Sequence, residues 1–324
     1  MKRDRSALEQ DVSRMPTVFL YKSDPVRGRQ WAEVFARRAP EIDFRIWPDI
    51  GDPAHVRFLA AWVPPDDLAT RFPNLSVLFS SGAGVDQFDF STLPSLLPVV
   101  RMVEPGIVRS MVEYVCHAVL DLHRDMPAYR RQQARGEWQP LDVRPASERR
   151  VGVLGLGSLG QAVLAQLVAF GFDCAGWSRS RHIVEGVACH AGADELGTFL
   201  ARTEILVCLL PLTDSTRGFL AAALFAQLPA GASLVHVGRG PQLVPQDLLA
   251  ALDAGQLREA VLDVVDPEPL PPSHALWRHP NVRITPHIAS MTQPLSAAEV
   301  VVDNLRRYAA GEAMVGLVDR ARGY

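Results

Sequence analysis

Three residues of the kind that grip a small anion and move a proton stand at turn-like places in the second half of the chain. Arg239 lies between two glycines, Glu268 between two prolines, and His287 directly after Thr285-Pro286. A guanidinium holds a carboxylate through paired N–H bonds. An imidazole gives or takes a proton near neutrality, and a carboxylate beside it favours its charged form. Together the three could bind an acidic substrate and deliver a proton to it. Each alone has a plainer use: Arg239 in a surface ion pair, Glu268 as a loop carboxylate, His287 as a cap or core histidine. The joint reading depends on a fold that brings them to one place.

The stretch Arg150 to Gly160 says what that fold is. Val151 to Leu154 is an apolar run of the kind that forms a buried parallel strand. Gly155, Gly157 and Gly160 then make G-x-G-x-x-G, and Gln161 to Phe170 follows with helical spacing at Val163, Leu164, Leu167 and Val168. Strand, glycine turn and helix in this order cradle a dinucleotide pyrophosphate. The first glycine allows the turn, the second admits the phosphates, and the third lets helix and strand pack. The helix N-terminus offers N–H groups to the anion.

From there the pattern is regular. Strands are predicted at 151–155, 174–178, 205–209, 233–237, 259–263 and 282–285, with helical segments at 159–170, 194–201, 219–227 and 245–254. This is a doubly wound sheet, whose ligands sit outside the carboxyl ends of the strands. Arg239, Glu268 and His287 each follow a predicted strand, so they share that edge. The second strand ends at Trp177 and leads into Ser178-Arg179-Ser180-Arg181, where an acid would bond the ribose of NAD. Two arginines and two hydroxyls suit the 2′-phosphate of NADP instead. The plainer alternative is a solvated basic turn.

The first third also alternates strands and helices, which implies a second parallel α/β sheet. Strands are read at Thr17 to Tyr21, Asp43 to Trp47, Arg57 to Trp62 and Leu75 to Ser80, with a helix at Val26 to Arg37. The last strand runs into Ser81-Gly82-Ala83-Gly84-Val85-Asp86, whose bare N–H groups could hold a carboxylate, or which could be an ordinary strand-to-helix turn. Val108 to Tyr129 reads as one long helix bridging two domains. Gln132 to Glu148 reads as an exposed excursion.

Length and composition agree with a globular protein of two domains. The chain has 324 residues, 48% apolar and 21% charged. A net charge of -3 gives no reason to expect nucleic acid, and no apolar run is long enough to span a membrane. Met1 to Arg14 lacks the apolar core of a secretory signal and reads as an N-terminal extension. Cys116, Cys174, Cys189 and Cys208 have no metal or redox spacing and read as reduced thiols of a cytoplasmic protein. No metal site is expected. His55, His190 and His279, like the remaining histidines, read as structural or exposed.

These motifs resemble the D-isomer-specific 2-hydroxyacid dehydrogenase family over nearly the whole chain: the Gly82 to Asp86 turn, G-x-G-x-x-G, Pro211-Leu212-Thr213, Gly238-Arg239-Gly240, Asp263 to Pro269 and Thr285-Pro286-His287. The tail Val318 to Tyr324 and Trp177-Ser178-Arg179 resemble the subgroup that reduces glyoxylate and hydroxypyruvate. Gly238 and His236 depart from the family, which more often has Ala or Ser at the first position and Asn at the second.

The resemblance implies two Rossmann-like α/β domains with the active site in the cleft between them. A discontinuous substrate domain (15–103 and 290–324) would receive the last helix, Ser296 to Ala310, and 104–289 would bind NADP. It implies Arg239, Glu268 and His287 as catalytic residues, and Trp62, Ala83, Gly84, Val85 and Arg239 around the substrate. The implied cofactor set is Gly155, Gly157, Ser158, Leu159, Gly160, Ser178, Arg179, Ser180, Arg181, Leu210, Pro211, Thr216, Val237, Gly238, Asp263 and His287. A homodimer is implied, with Trp138 either reaching the partner or buried in its own subunit. The expected reaction is NADPH-dependent reduction of glyoxylate to glycolate and of hydroxypyruvate to D-glycerate. A larger 2-oxo acid, or a non-catalytic nucleotide-sensing scaffold, is the alternative.

Overall fold

The computed structural model describes residues 17–320, so Met1 to Arg14 and the last four residues of the tail motif lie outside the described residues. The chain divides into two compact units, one of residues up to Ile107 with those from Thr292 onward, the other Val108–Met291.

The first unit holds a five-stranded sheet in the order β2-β1-β3-β4-β5. Its strands are β1 (Thr17–Lys22), β2 (Ile42–Ile46), β3 (Val56–Ala61), β4 (Val77–Ser80) and β5 (Val99–Val100), all parallel. Helix α1 (Pro25–Arg38) starts where Asp24 accepts the Arg27 N–H at 2.8 Å and a proline fills the first turn. Its apolar face, Trp31, Val34 and Phe35, packs on Phe19 and Tyr21 of β1. A short helix, α2 (Leu68–Arg71), precedes β4. The last helix of the chain, α9 (Pro294–Ala309), returns here: Arg38 of α1 pairs with its Asp303 at 3.0 Å. Buried Glu104 gathers the start and return of the chain. Its carboxylate accepts from Gly106 N–H at 2.6 Å, Gln293 N–H at 2.9 Å and the Ser296 hydroxyl at 2.9 Å.

The second unit holds a seven-stranded sheet, β12-β11-β10-β9-β6-β7-β8, also all parallel. Its strands are β6 (Arg150–Leu154), β7 (Asp173–Ser178), β8 (Ala188–Ala191), β9 (Ile205–Cys208), β10 (Ala232–His236), β11 (Leu257–Leu262) and β12 (Val282–Ile284). The order reverses between β6 and β9, the place where doubly wound sheets bind ligands. Helices α5 (Ser158–Ala169), α6 (Gly192–Arg202), α7 (Ala222–Phe225) and α8 (Pro245–Asp253) connect the strands. Apolar clusters pack around both sets of elements, one including Val163, Leu167 and Val119, the other Phe199, Leu224 and Leu248.

Several expectations are corrected. The predicted helix 108–129 is two helices, α3 (Pro105–His123) and α4 (Met126–Arg135). The break falls at Asp125, whose φ of 54° is left-handed, and its carboxylate is held by Arg258. Pro127 then fits the first turn of α4, where no N–H is needed. The predicted helix 219–227 contracts to α7. Its start is drawn out as an isolated parallel bridge between Leu220 and Leu243, just after a turn that Thr213 and Thr216 close. Strands β5 and β8 were not expected: β5 is two residues long, and β8 is a small, polar edge strand (Ala-Cys-His-Ala) without an apolar signature. Trp138 is 100% exposed, which removes the option of a buried anchor within its own subunit.

Cys116, Cys174 and Cys208 are buried and unbridged, and burial pushes the Cys208 thiol up to about 12, far from a nucleophile at neutral pH. No helix among the described residues is long and apolar enough to cross a membrane. No group of three or more metal-ligating side chains occurs among them.

Candidate active site

Arg239, Glu268 and His287 leave the carboxyl ends of three neighbouring strands, β10, β11 and β12. Glu268 bridges two loops. Its Oε2 lies 2.8 Å from His287 Nδ1, and its Oε1 accepts the Val265 N–H at 3.2 Å. A carboxylate only accepts, so the proton of this pair sits on Nδ1, and Nε2 is left to meet a substrate. His287 has φ 55°, a left-handed backbone outside glycine. Its N–H donates to the carbonyls of Asp263 at 2.9 Å and Thr285 at 3.0 Å, which hold it in that conformation.

Asp263, one of the implied cofactor residues, anchors the loop that carries His287. Its buried carboxylate accepts from the Thr285 hydroxyl at 2.6 Å, Ile288 N–H at 2.9 Å and Ala289 N–H at 2.7 Å. Four lone-pair sites leave one for a further donor. The hydroxyl of Tyr114 on α3 lies 2.5 Å from that of Thr285. Thr285 gives its single hydrogen to Asp263, so Tyr114 donates to Thr285. Burial raises the Tyr114 phenol, against the Thr285 contact, which keeps it protonated for this chain. Sequence reasoning missed Tyr114, because a tyrosine on an amphipathic helix carries no chemical signal.

The glycines around Arg239 serve close packing of the turn. A Cβ on Gly240 would lie 2.0 Å from the Val265 carbonyl oxygen, and one on Gly238 would lie 2.3 Å from Gln242 Oε1. Gly240 lets the β10 and β11 loops close on each other, and Gly238 makes room for the Gln242 amide. Gln242 is wholly buried and was also missed.

The glycine loop follows β6. Gly155 has φ 104°, and a Cβ there would sit 2.8 Å from the Leu209 carbonyl oxygen. A Cβ on Gly160 would sit 1.8 Å from the Gly155 carbonyl oxygen. Gly157, the residue before α5, faces open space: a Cβ there meets nothing within 4 Å. Two glycines thus close the turn, while the third leaves bare backbone at the start of a twelve-residue helix. Leu156, buried between them, packs on Gly176 of β7. This chain's residues fit a dinucleotide pyrophosphate there.

After β7, the Ser178 hydroxyl donates to the Ser180 carbonyl at 2.7 Å. Arg181 is paired with Glu195 of α6. The Thr216 hydroxyl donates to the Pro211 carbonyl at 2.7 Å and accepts the Thr213 N–H at 2.8 Å, so it shapes the turn after β9. In the first unit, Ser80 and Gln87 brace the turn after β4: Ser80 Oγ donates to the Gly84 carbonyl at 2.7 Å and accepts from Gln87 at 3.1 Å. The N–H groups of Ala83, Gly84 and Val85 donate to no acceptor among the described residues. The Trp62 ring lies over Gly82, where a Cβ would be 2.7 Å from its Cζ3, and the side chain stays 43% exposed.

A family model described as D-isomer specific 2-hydroxyacid dehydrogenase, NAD binding domain, matches residues 116–289. The chain belongs to that family. It is 40% identical over 303 residues to glyoxylate/hydroxypyruvate reductase A of Yersinia enterocolitica, covering 92% of this chain and 96% of the relative. Among solved structures, a D-isomer specific 2-hydroxyacid dehydrogenase from Xanthobacter autotrophicus, in complex with NADPH and MES, superposes with a TM-score of 0.90 at 41% identity. That match covers 95% of this chain and 100% of the other. An NADPH-dependent glyoxylate/hydroxypyruvate reductase from Sinorhizobium meliloti, in complex with NADP and sulfate, gives 0.88 at 35% identity, covering 96% and 100%. Membership of this dehydrogenase family accounts for the two parallel-sheet α/β units and the strand order of the second.

Proposed function

We propose that this 2-hydroxyacid dehydrogenase reduces small 2-oxo acids, glyoxylate to glycolate and hydroxypyruvate to D-glycerate, with NADPH. The observation that carries the reading is the Glu268–His287 contact at 2.8 Å, on the sheet edge that also carries Arg239. NADPH, when bound, supplies the hydride. Arg239 binds the substrate carboxylate and polarises the 2-oxo group. His287 gives the proton from Nε2 to the carbonyl oxygen, because Glu268 occupies Nδ1. The oxo group thus becomes a hydroxyl. In the first unit, the N–H groups of Ala83, Gly84 and Val85 are donors suited to a carboxylate, and Trp62, over Gly82, would shape the substrate pocket.

In the second unit, Gly155, Gly157, Ser158, Leu159 and Gly160 would hold the pyrophosphate, and Ser178, Arg179 and Ser180 the 2′-phosphate. Arg181 would have to leave Glu195 to take part. Leu210, Pro211, Thr216, Val237, Gly238 and Asp263 would line the nicotinamide side. Similarity to a solved structure named as an NADPH-dependent reductase, and to another in complex with NADPH, supports the cofactor choice. We further propose a cytoplasmic homodimer in which the exposed segment after α4, with Trp138 and Val143, meets the partner.

The test is NADPH oxidation over glyoxylate, hydroxypyruvate, pyruvate and phenylpyruvate. Highest kcat/KM with the first two is expected. Highest kcat/KM with phenylpyruvate would replace the proposal with a larger substrate, and no turnover of any 2-oxo acid would leave a nucleotide-sensing scaffold.

A further inference from the structure

The peptide groups on both sides of Arg239 are held by two side chains with no exposure to solvent. The Arg239 N–H donates to Gln242 Oε1 at 2.7 Å. The Arg239 carbonyl accepts from the Gln242 N–H at 3.0 Å and faces His236 Nε2 at 3.0 Å. Gln242 and His236 both have 0% exposure. A carbonyl only accepts, so His236 carries its proton on Nε2. His236 Nδ1 has no partner among the described residues.

Gln242 also reaches a second loop. Its Nε2 donates to the carbonyls of Leu210 at 3.1 Å and Pro211 at 3.0 Å, in the turn after β9. One buried amide therefore accepts from the Arg239 turn and gives both its hydrogens to the neighbouring turn. Burying an amide and an imidazole is costly unless their bonds are made. Here two of those four side-chain bonds converge on the backbone of Arg239, and the other two tie it to the Leu210–Pro211 turn. Gly238 is the space that admits the Gln242 amide.

We propose that Gln242 and His236 are positioning residues for Arg239. Gln242 sets the substrate arginine in register with the Leu210–Pro211 turn, and His236 fixes the peptide that follows the arginine. This rests on the reading of Arg239 as the carboxylate-binding group. It explains how an arginine on a two-glycine turn keeps one direction. The glycines supply closeness, and the buried side chains supply the order that glycine removes. Burial drives His236 down to about 4, against its bond to the Arg239 carbonyl, so the imidazole stays neutral through the physiological range and keeps the one hydrogen that the carbonyl needs.

The test uses the full-length protein and four variants. Gln242→Met keeps the volume and removes all the side-chain bonds. His236→Phe removes the donor to Arg239, and His236→Gln replaces Nε2–H with an amide N–H. Arg239→Ala is the reference. Measured are kcat and KM for glyoxylate at saturating NADPH, NADPH Kd by fluorescence, and hydrogen exchange of the peptide spanning 237–243.

Misplacing a binding group by about 1 Å costs up to ~10²-fold, so kcat/KM should fall ten- to hundredfold in Gln242→Met and His236→Phe. His236→Gln should recover most of what His236→Phe loses, and exchange at the Arg239 amide should speed up in Gln242→Met. Near-wild-type kcat/KM in both Gln242→Met and His236→Phe, with Arg239→Ala inactive, overturns the proposal. Equal losses in His236→Phe and His236→Gln also overturn it for His236. If Gln242→Met does not fold, the two His236 variants decide the matter. An active Arg239→Ala instead refutes the carboxylate reading, and the exchange data still report whether the backbone clamp exists.

Discussion

Glu268 reaches the His287 ring from the loop after β11, while Asp263, at the start of the same loop, holds the His287 N–H through its own carbonyl. The histidine is therefore fixed at its ring and at its peptide by two acids five positions apart. His287→Ala should lower kcat for glyoxylate by ~10²-fold or more, the scale of a lost general acid, and leave NADPH affinity near wild type. Glu268→Gln should move kcat the same way by a smaller factor. Steady-state kinetics with a fluorescence titration of NADPH separate the two readouts. Unchanged turnover in His287→Ala would remove the histidine from the mechanism.

Cofactor choice should follow Arg179. Charge-assisted hydrogen bonds contribute roughly 1.5–3 kcal/mol, so Arg179→Asp should cut kcat/KM with NADPH by at least about tenfold while changing NADH much less. Arg181→Ala should matter less, because Glu195 already holds that guanidinium. A wild-type preference for NADH would refute the assignment of Ser178 to Arg181.

Two glycines should respond in opposite ways. Gly157→Ala puts a methyl into open space, so its melting temperature should stay near wild type while NADPH affinity falls. Gly240→Ala drives a methyl into the Val265 carbonyl, which is backbone and cannot swing away. Overpacking of this kind costs about 1–3 kcal/mol. Thermal denaturation of the apoprotein should show a lowered melting temperature for Gly240→Ala alone.

Acid stability should depend on Glu204. Burial pushes this carboxyl up, but the Arg144 hydrogen bond at 2.9 Å, the Arg150 N–H at 3.0 Å and the Arg144 and Arg149 charges outweigh it, bringing it down to about 2. The folded value lies below the unfolded one, so the stabilisation is complete above the ordinary carboxylate range. It is lost as pH falls from there toward about 2. A tenfold gain in acidity on folding corresponds to ~1.4 kcal/mol, which sets an upper bound of about 3 kcal/mol on this contribution. Glu204→Gln should therefore lower stability near neutrality and flatten its decline between roughly pH 5 and pH 3, as read by urea denaturation at a series of pH values. Parallel curves for the two proteins would refute this account.

Much of the second unit was legible because its signals are local. The apolar run before Gly155, the glycine spacing and the residues after each strand all lie within a few positions of what they specify. Arg239, Glu268 and His287 could be placed on one edge because parallel strands put all their carboxyl ends there. Gln242 and Tyr114 were not legible, because Leu210, Pro211 and Thr285 are distant in sequence, and even the nearby Arg239 N–H is a backbone partner that a polar side chain does not announce. The break at Asp125 was hidden by apolar spacing that continues across it, and only the left-handed backbone and the Arg258 contact reveal it. β8 escaped because an edge strand needs little apolar surface.

Glu104 closes the base of a long excursion: the chain leaves the first unit near Ile107 and re-enters at Thr292. For a polypeptide made from one end, this sets an order of completion. The second unit is one uninterrupted stretch and has all its strands before the first unit has all its helices. α1 emerges early but must wait for α9, since Arg38 meets Asp303 across 265 positions. The entropy of closing so large a loop grows only slowly with its length, so the delay lies in synthesis and not in the closure. A nascent chain halted before Pro294 should resist protease across 108–291 and yield to it in the first unit, whose apolar surface is then what a chaperone would meet.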